Sequence, residues 1–125
     1  RRAIAGDDKA PPEIAQATEL LREGLDLFRE LGHKLGIAIA LEAMASVSAV
    51  QGDGAHAVML FATAHTLRQA IGALIPPIDY AAFDSAVAAS RAQLGEAVFA
   101  DLWARAATRP FKEVVEEILK ADDAG

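Results

Sequence analysis

The chain has 125 residues, the length of a single domain, and it is 53% hydrophobic but only 6% aromatic, with alanine supplying much of the difference. Its 18 Asp and Glu outweigh 12 Lys and Arg for a formal charge of −6, which argues against direct binding of a nucleic-acid backbone. With no cysteine, disulfides and thiolate metal sites are excluded, and a cytoplasmic setting is favoured.

Residues 1–10 are charged and small and include Gly6, so a flexible leader is expected there. The chain starts without Met and without the apolar core of a signal peptide, and reads as a segment of a longer protein. Pro11-Pro12-Glu13 opens a first helix, with proline tolerated in the first turn and an acid at the positive dipole end. That helix runs to about Leu31, with Ala17, Leu20, Leu21, Leu25, Leu27, Phe28 and Leu31 at helical spacing, and Gly32 closes it. His33 and Lys34 then place positive charge beside its negative end. A second helix covers about Leu35 to Gln51 and has only Glu42, Ser46, Ser48 and Gln51 as polar members. Its apolar run is too short for a bilayer, which takes about 20 residues, so no membrane role is expected. The Gly52-Asp53-Gly54 turn leads to a third helix, about Ala55 to Ile71, closed by Gly72. Pro76-Pro77 starts a fourth, about Ile78 to Leu94, amphipathic through Ile78, Phe83, Val87 and Leu94. Gly95 separates it from a fifth, about Glu96 to Ala107, and Pro110 opens a sixth, about Phe111 to Ala121. Residues 122–125 are expected to be a flexible tail. No segment alternates with period two between turn signals, so the fold class is all-α with about six helices.

Shifted by 40 residues, the chain matches itself: Ala15, Ala17, Leu20, Leu27 and Gly32 meet Ala55, Ala57, Leu60, Leu67 and Gly72. Leu21 against Phe61 and Leu31 against Ile71 keep apolar character. A period in this range is the mark of stacked helix pairs that bury their faces on one another. Leu41, Met44 and Ala45, then Gly52, then Ala57, Phe61 and Ala64 give small residues at a helix crossing with larger ones around it. This pattern resembles the tetratricopeptide repeat, with Ser48 where that family usually has a large aromatic. Ala17, Leu21 and Gly24 take the equivalent places in the preceding copy, whose first helix would lie upstream of this segment. The wider string from Leu27 to Leu41, the Gln51-Gly52-Asp53 turn, and Leu67 to Gly72 resemble the C-terminal repeat region of bacterial LuxR- and MalT-type signal-transduction ATPases. Pro76-Pro77, Leu94 to Phe99 and Trp103-Ala104 follow in the order seen there, although Ala106 stands where a glycine is usual. The resemblance implies a tetratricopeptide-like α-solenoid over residues 11–121 with a C-terminal capping helix. It also implies a regulatory, non-catalytic role in a larger signalling or transcription-regulating ATPase.

The residues offer little chemistry. His56 and His65 are about 900° apart around a helix and point to opposite faces, so they cannot share a metal ion. There is no Gly-x-Ser-x-Gly elbow, no serine near a histidine in sequence, and no phosphate-binding loop. No enzyme activity, cofactor or metal is expected. Phe99 and Trp103 read as core that clamps the last helices, and Glu113, Glu116, Glu117, Asp122 and Asp123 as a solvated acidic face and tail. The best candidate site is a groove on the second helix, where Ile39, Glu42, Ser46 and Val50 lie near one stripe. Such a stripe suits a protein or peptide partner, including other domains of the same chain, unless neighbouring helices or water satisfy Glu42 and Ser46. Self-association and small-molecule sensing are the alternatives.

Overall fold

The computed structural model describes residues 11–124, and among them there is helix and no strand. The leader expected over residues 1–10 and the last residue of the expected tail lie outside them. Six helices follow in order: α1 (Pro12–Leu31), α2 (Lys34–Val50), α3 (Gly54–Ile71), α4 (Tyr80–Leu94), α5 (Glu96–Thr108) and α6 (Phe111–Ala124).

The two sequence copies share their endings. Gly32 and Gly72 have φ of 67° and 70°, a left-handed conformation that glycine adopts without a Cβ penalty. At each, the next residue's N–H reaches back to the same place in the helix, His33 to the Phe28 carbonyl and Ala73 to the Arg68 carbonyl, both at 3.0 Å. The starts of α2 and α3 are capped differently. The Asp53 carboxylate accepts from His56 N–H, as an N-cap acid normally does. His33 caps α2 with its ring, Nδ1 accepting from Gly36 N–H at 2.8 Å. The ring thus serves the start of α2, a cap that the sequence reading, which placed His33 and Lys34 beside the end of α1, did not include.

The α4 boundary also moves. Pro77–Asp79 forms a single 3-10 turn and α4 begins only at Tyr80, leaving Ile78 fully outside the amphipathic face expected to include it. Ala106, where a closing glycine was expected, is buried within α5, and the chain turns later, at Arg109-Pro110. α6 continues past the expected end at Ala121, to Ala124.

α2 lies between α1 and α3 and packs most extensively on α3, while α4 and α5 cover the other side of α3. The core is built from Leu25, Leu41, Leu60, Phe61, Val114 and Val115. Alanines at positions 38, 40, 45, 57 and 64 let the helices approach closely within it. Phe61 meets Phe83 edge to face at 5.3 Å, joining α3 to α4. α6 does not extend the row. It returns across α1 and α3 because Val114, Val115 and Ile118 form one apolar face, and Arg29 pairs with Glu116 at 2.8 Å as it crosses.

Candidate functional site

The four groove residues do lie on one side of α2, and that side is the one turned away from α6. Ile37 and Met44 line crevices with Val115 and Ile118 of α6, and they sit roughly opposite Ile39 and Ser46 around the helix. Ile39 is 49% exposed, Val50 is 77% exposed and Ser46 is exposed, so a helix with almost no polar side chains leaves an apolar strip in solvent.

Glu42 differs from the other three. Its carboxylate is held by both ends of the Arg68 guanidinium, Nε to Oε2 at 2.6 Å and Nη2 to Oε1 at 3.0 Å. The remaining donor of Arg68, Nη1, reaches the carbonyls of Ala73 and Leu74, each at 3.1 Å. With side-chain exposures of 8% for Arg68 and 17% for Glu42, this is a nearly buried, fully satisfied ion pair. It ties α2 to the end of α3 and to the chain entering α4. Glu42 is therefore committed to the fold, and a partner on this strip would meet the Arg68–Glu42 pair as a fixed unit. Arg68 had no signal in the sequence beyond a charge in an apolar helix, since its counterpart 40 residues earlier is Phe28.

A second apolar strip lies on α1. Leu20, Leu27 and Leu31 are 61%, 60% and 75% exposed, although they share the spacing that made the whole helix look like core. With Leu35, at the start of α2, they place exposed apolar side chains on two adjoining helices.

Ser48 and His56, eight residues apart on either side of the turn, come together with Oγ 2.9 Å from Nδ1. Sequence adjacency missed this contact because the turn folds one helix end back on the next. Ser48 is buried in the last turn of α2, and the nearby Asp53 carboxylate binds the His56 backbone N–H, not its ring. The contact thus links α2 to α3 beside the turn. Gln93 fastens the same turn from α4, accepting from Gly54 N–H at 2.6 Å and donating to the Gly52 carbonyl.

Phe99 is buried and Trp103 half-buried, their rings 5.7 Å apart, with His65 a further 5.7 Å from Trp103 and Arg91 stacked 4.5 Å over Phe99. The acidic face of α6 is used at Glu113 and Glu117, which share Arg109. Those two carboxylates hold the Arg109 guanidinium above its ordinary pKa, and Arg29 is raised likewise by its bonds to Glu116 and Asp26 against the opposing effect of desolvation. Among the described residues no three His, Asp or Glu side chains are grouped to hold a metal ion, and no helix is long and apolar enough to cross a membrane. The chain matches no family model, no curated protein and no solved structure.

Proposed function

We propose that this domain is a non-catalytic protein-interaction module. The observation that carries this reading is the strip of Ile39, Ser46 and Val50, exposed on a helix that is otherwise locked between α1 and α3. An apolar strip on a rigid platform offers contact area to a partner without an ordering cost in the domain itself. The resemblance to the C-terminal repeats of signal-transduction ATPases supports a regulatory role within such a chain, where other domains of the same protein are candidate partners.

Site-specific photocrosslinking in the source cells tests it. An Ile39→p-benzoylphenylalanine variant is expected to yield a defined protein adduct, whereas Val98→p-benzoylphenylalanine, equally exposed at 49% on α5, is not. No adduct at residue 39, or the same adducts from both positions, would overturn the assignment.

Small-molecule sensing is favoured by one other observation. A cavity of about 220 Å³ between α1, α2 and α6 has Ile37, Phe111 and Val115 as its apolar walls, with Lys34, Lys112 and the Arg29–Glu116 ion pair also in its lining. An apolar carboxylate is the chemistry that suits it. On this reading octanoate raises the melting temperature and octanol does not; equal shifts from both would remove it.

A further inference from the structure

The interaction reading above rests on exposed apolar surface, and α1 narrows what covers it. Leu20, Gly24, Leu27 and Leu31 are the counterparts, 40 residues earlier, of Leu60, Ala64, Leu67 and Ile71. In α3 that face is covered. Leu60 is fully buried, Leu67 is 4% exposed, and both share a cluster with Ala38, Leu41 and Ala45 of α2, the helix packed most extensively on α3. In α1 the three leucines of the same face stand in solvent.

Gly24 is compatible with a helix lying over this face. It lies in the interior of a 20-residue helix with an ordinary φ, and a Cβ built on it would meet nothing within 4 Å. Glycine weakens a helix interior, and no neighbour in the free chain requires its small size. The second copy has the next smallest residue, Ala64, at the equivalent place, buried in the cluster shared with α2, so a helix seated on α1 in the same way would find room at Gly24.

The flank of this face favours one charge on the occupant, although Arg22, Arg29 and Lys120 line the crevice beyond Glu19 and Glu23. Glu19, Glu23 and Glu30 run along one edge, and no ion pair among the described residues uses them. An antiparallel pair of α1 helices from two copies would bring the two acidic edges side by side, which disfavours self-pairing.

We propose that the outer face of α1 is a seat for a basic amphipathic helix, lying antiparallel across Leu20, Gly24, Leu27 and Leu31 as α2 lies on α3. Its apolar stripe covers the leucines, a small residue meets Gly24, and Lys or Arg on one flank face Glu23 and Glu30.

The probe is a fluorescein-labelled peptide with the sequence of residues 34–50, the helix that fills the equivalent seat. It carries Ile37→Lys, Met44→Lys and Ser48→Lys on the flank that faces α6 in the domain, and Leu35→Gln, Ile39→Gln and Val50→Gln for solubility. A control peptide has Glu at 37, 44 and 48. By fluorescence anisotropy in about 50 mM salt, the basic peptide is expected to bind the domain at least about tenfold more tightly than the acidic one, a gap that shrinks in about 500 mM salt. The Leu20→Gln/Leu27→Gln domain, altered only at exposed positions, is expected to keep its melting temperature and lose about tenfold or more of the affinity. Equal binding of the two peptides would overturn the charge assignment, and undiminished binding to the double variant would overturn the seat. If neither peptide binds, the proposal fails; a concentration-dependent dimer abolished by the double variant would then give the face to a second copy. None of these outcomes touches the crosslinking at Ile39, on which the broader interaction reading stands or falls separately.

Discussion

α1 and α3 are written in nearly the same apolar pattern, yet Leu60 is fully buried while Leu20 is 61% exposed. Leu67 and Leu27 repeat the contrast at 4% and 60%. Periodicity decides which face of a helix is apolar; the neighbours decide whether that face ever leaves water. Burying a leucine stabilises by about 1.5–3 kcal/mol, and α1 alone does not collect this at Leu20, Leu27 or Leu31. The same residue is thus a core residue in one copy and surface in the other.

The largest expected effect comes from truncating the matched leucines. Leu60→Ala should cost about 3 kcal/mol, the transfer loss plus the cavity it leaves among Leu41, Ala45 and Leu67. Leu20→Ala should stay within about 0.5 kcal/mol, because its side chain already stands in solvent. Urea unfolding of both variants checks the pair, and equal costs would mean α1 is covered in the free domain.

Arg68 is where the two copies part, since Phe28 holds its place in α1. Arg68→Ala leaves the Glu42 carboxylate nearly buried without its partner and two carbonyls without their donor, at an expected cost of about 2–3 kcal/mol. The double change Glu42→Leu/Arg68→Met should cost less than Arg68→Ala alone, because no charge is then stranded. A double variant at least as unstable as the single one would show that the carbonyl contacts, not the ion pair, carry the stability.

A smaller effect is expected at the caps. Asp53→Ala and His33→Ala should each cost about 1 kcal/mol by removing the acceptor for a first-turn N–H. In hydrogen exchange the loosened amides should lie in the first turn of α3 for Asp53→Ala and of α2 for His33→Ala. Uniform loosening in either variant would mean the caps do not act locally.

Which parts of this were legible in the sequence follows from what local signals report. Gly32, Gly72, Gly95 and Pro110 sit at helix ends where backbone conformation is decided within a few residues, and the helices end or restart beside them. Pro76-Pro77 marked a break but not its form, because a 3-10 turn and an α-helix share their first residues, so Ile78 was misplaced. That Ile39, Ser46 and Val50 share one side of α2 could be read from spacing; that this side stands in solvent could not. The partner of Glu42 could not, since Arg68 lies 26 residues away and only the α2–α3 packing brings them together. Nor could the return of α6 onto α1: an amphipathic helix announces that it will pack, but not on which neighbour. The exposure of the α1 leucines was hidden for the same reason, and only the contrast with their buried counterparts reveals it.

The finest test of that contrast is Gly24. Replacing it with alanine puts a Cβ into open space on a residue already helical, so the free domain should gain about 0.5–1 kcal/mol from helix propensity and a less flexible unfolded chain. The reverse change in the other copy, Ala64→Gly, should lose at least about 1 kcal/mol, because it also opens space in the core. If α1 is a seat of the α2–α3 kind, the Gly24→Ala domain should keep its affinity for the basic peptide, since Ala64 carries the same methyl beneath α2, whereas Gly24→Leu should lose it. A Gly24→Leu domain that kept its affinity would mean that no helix crosses α1 at that point.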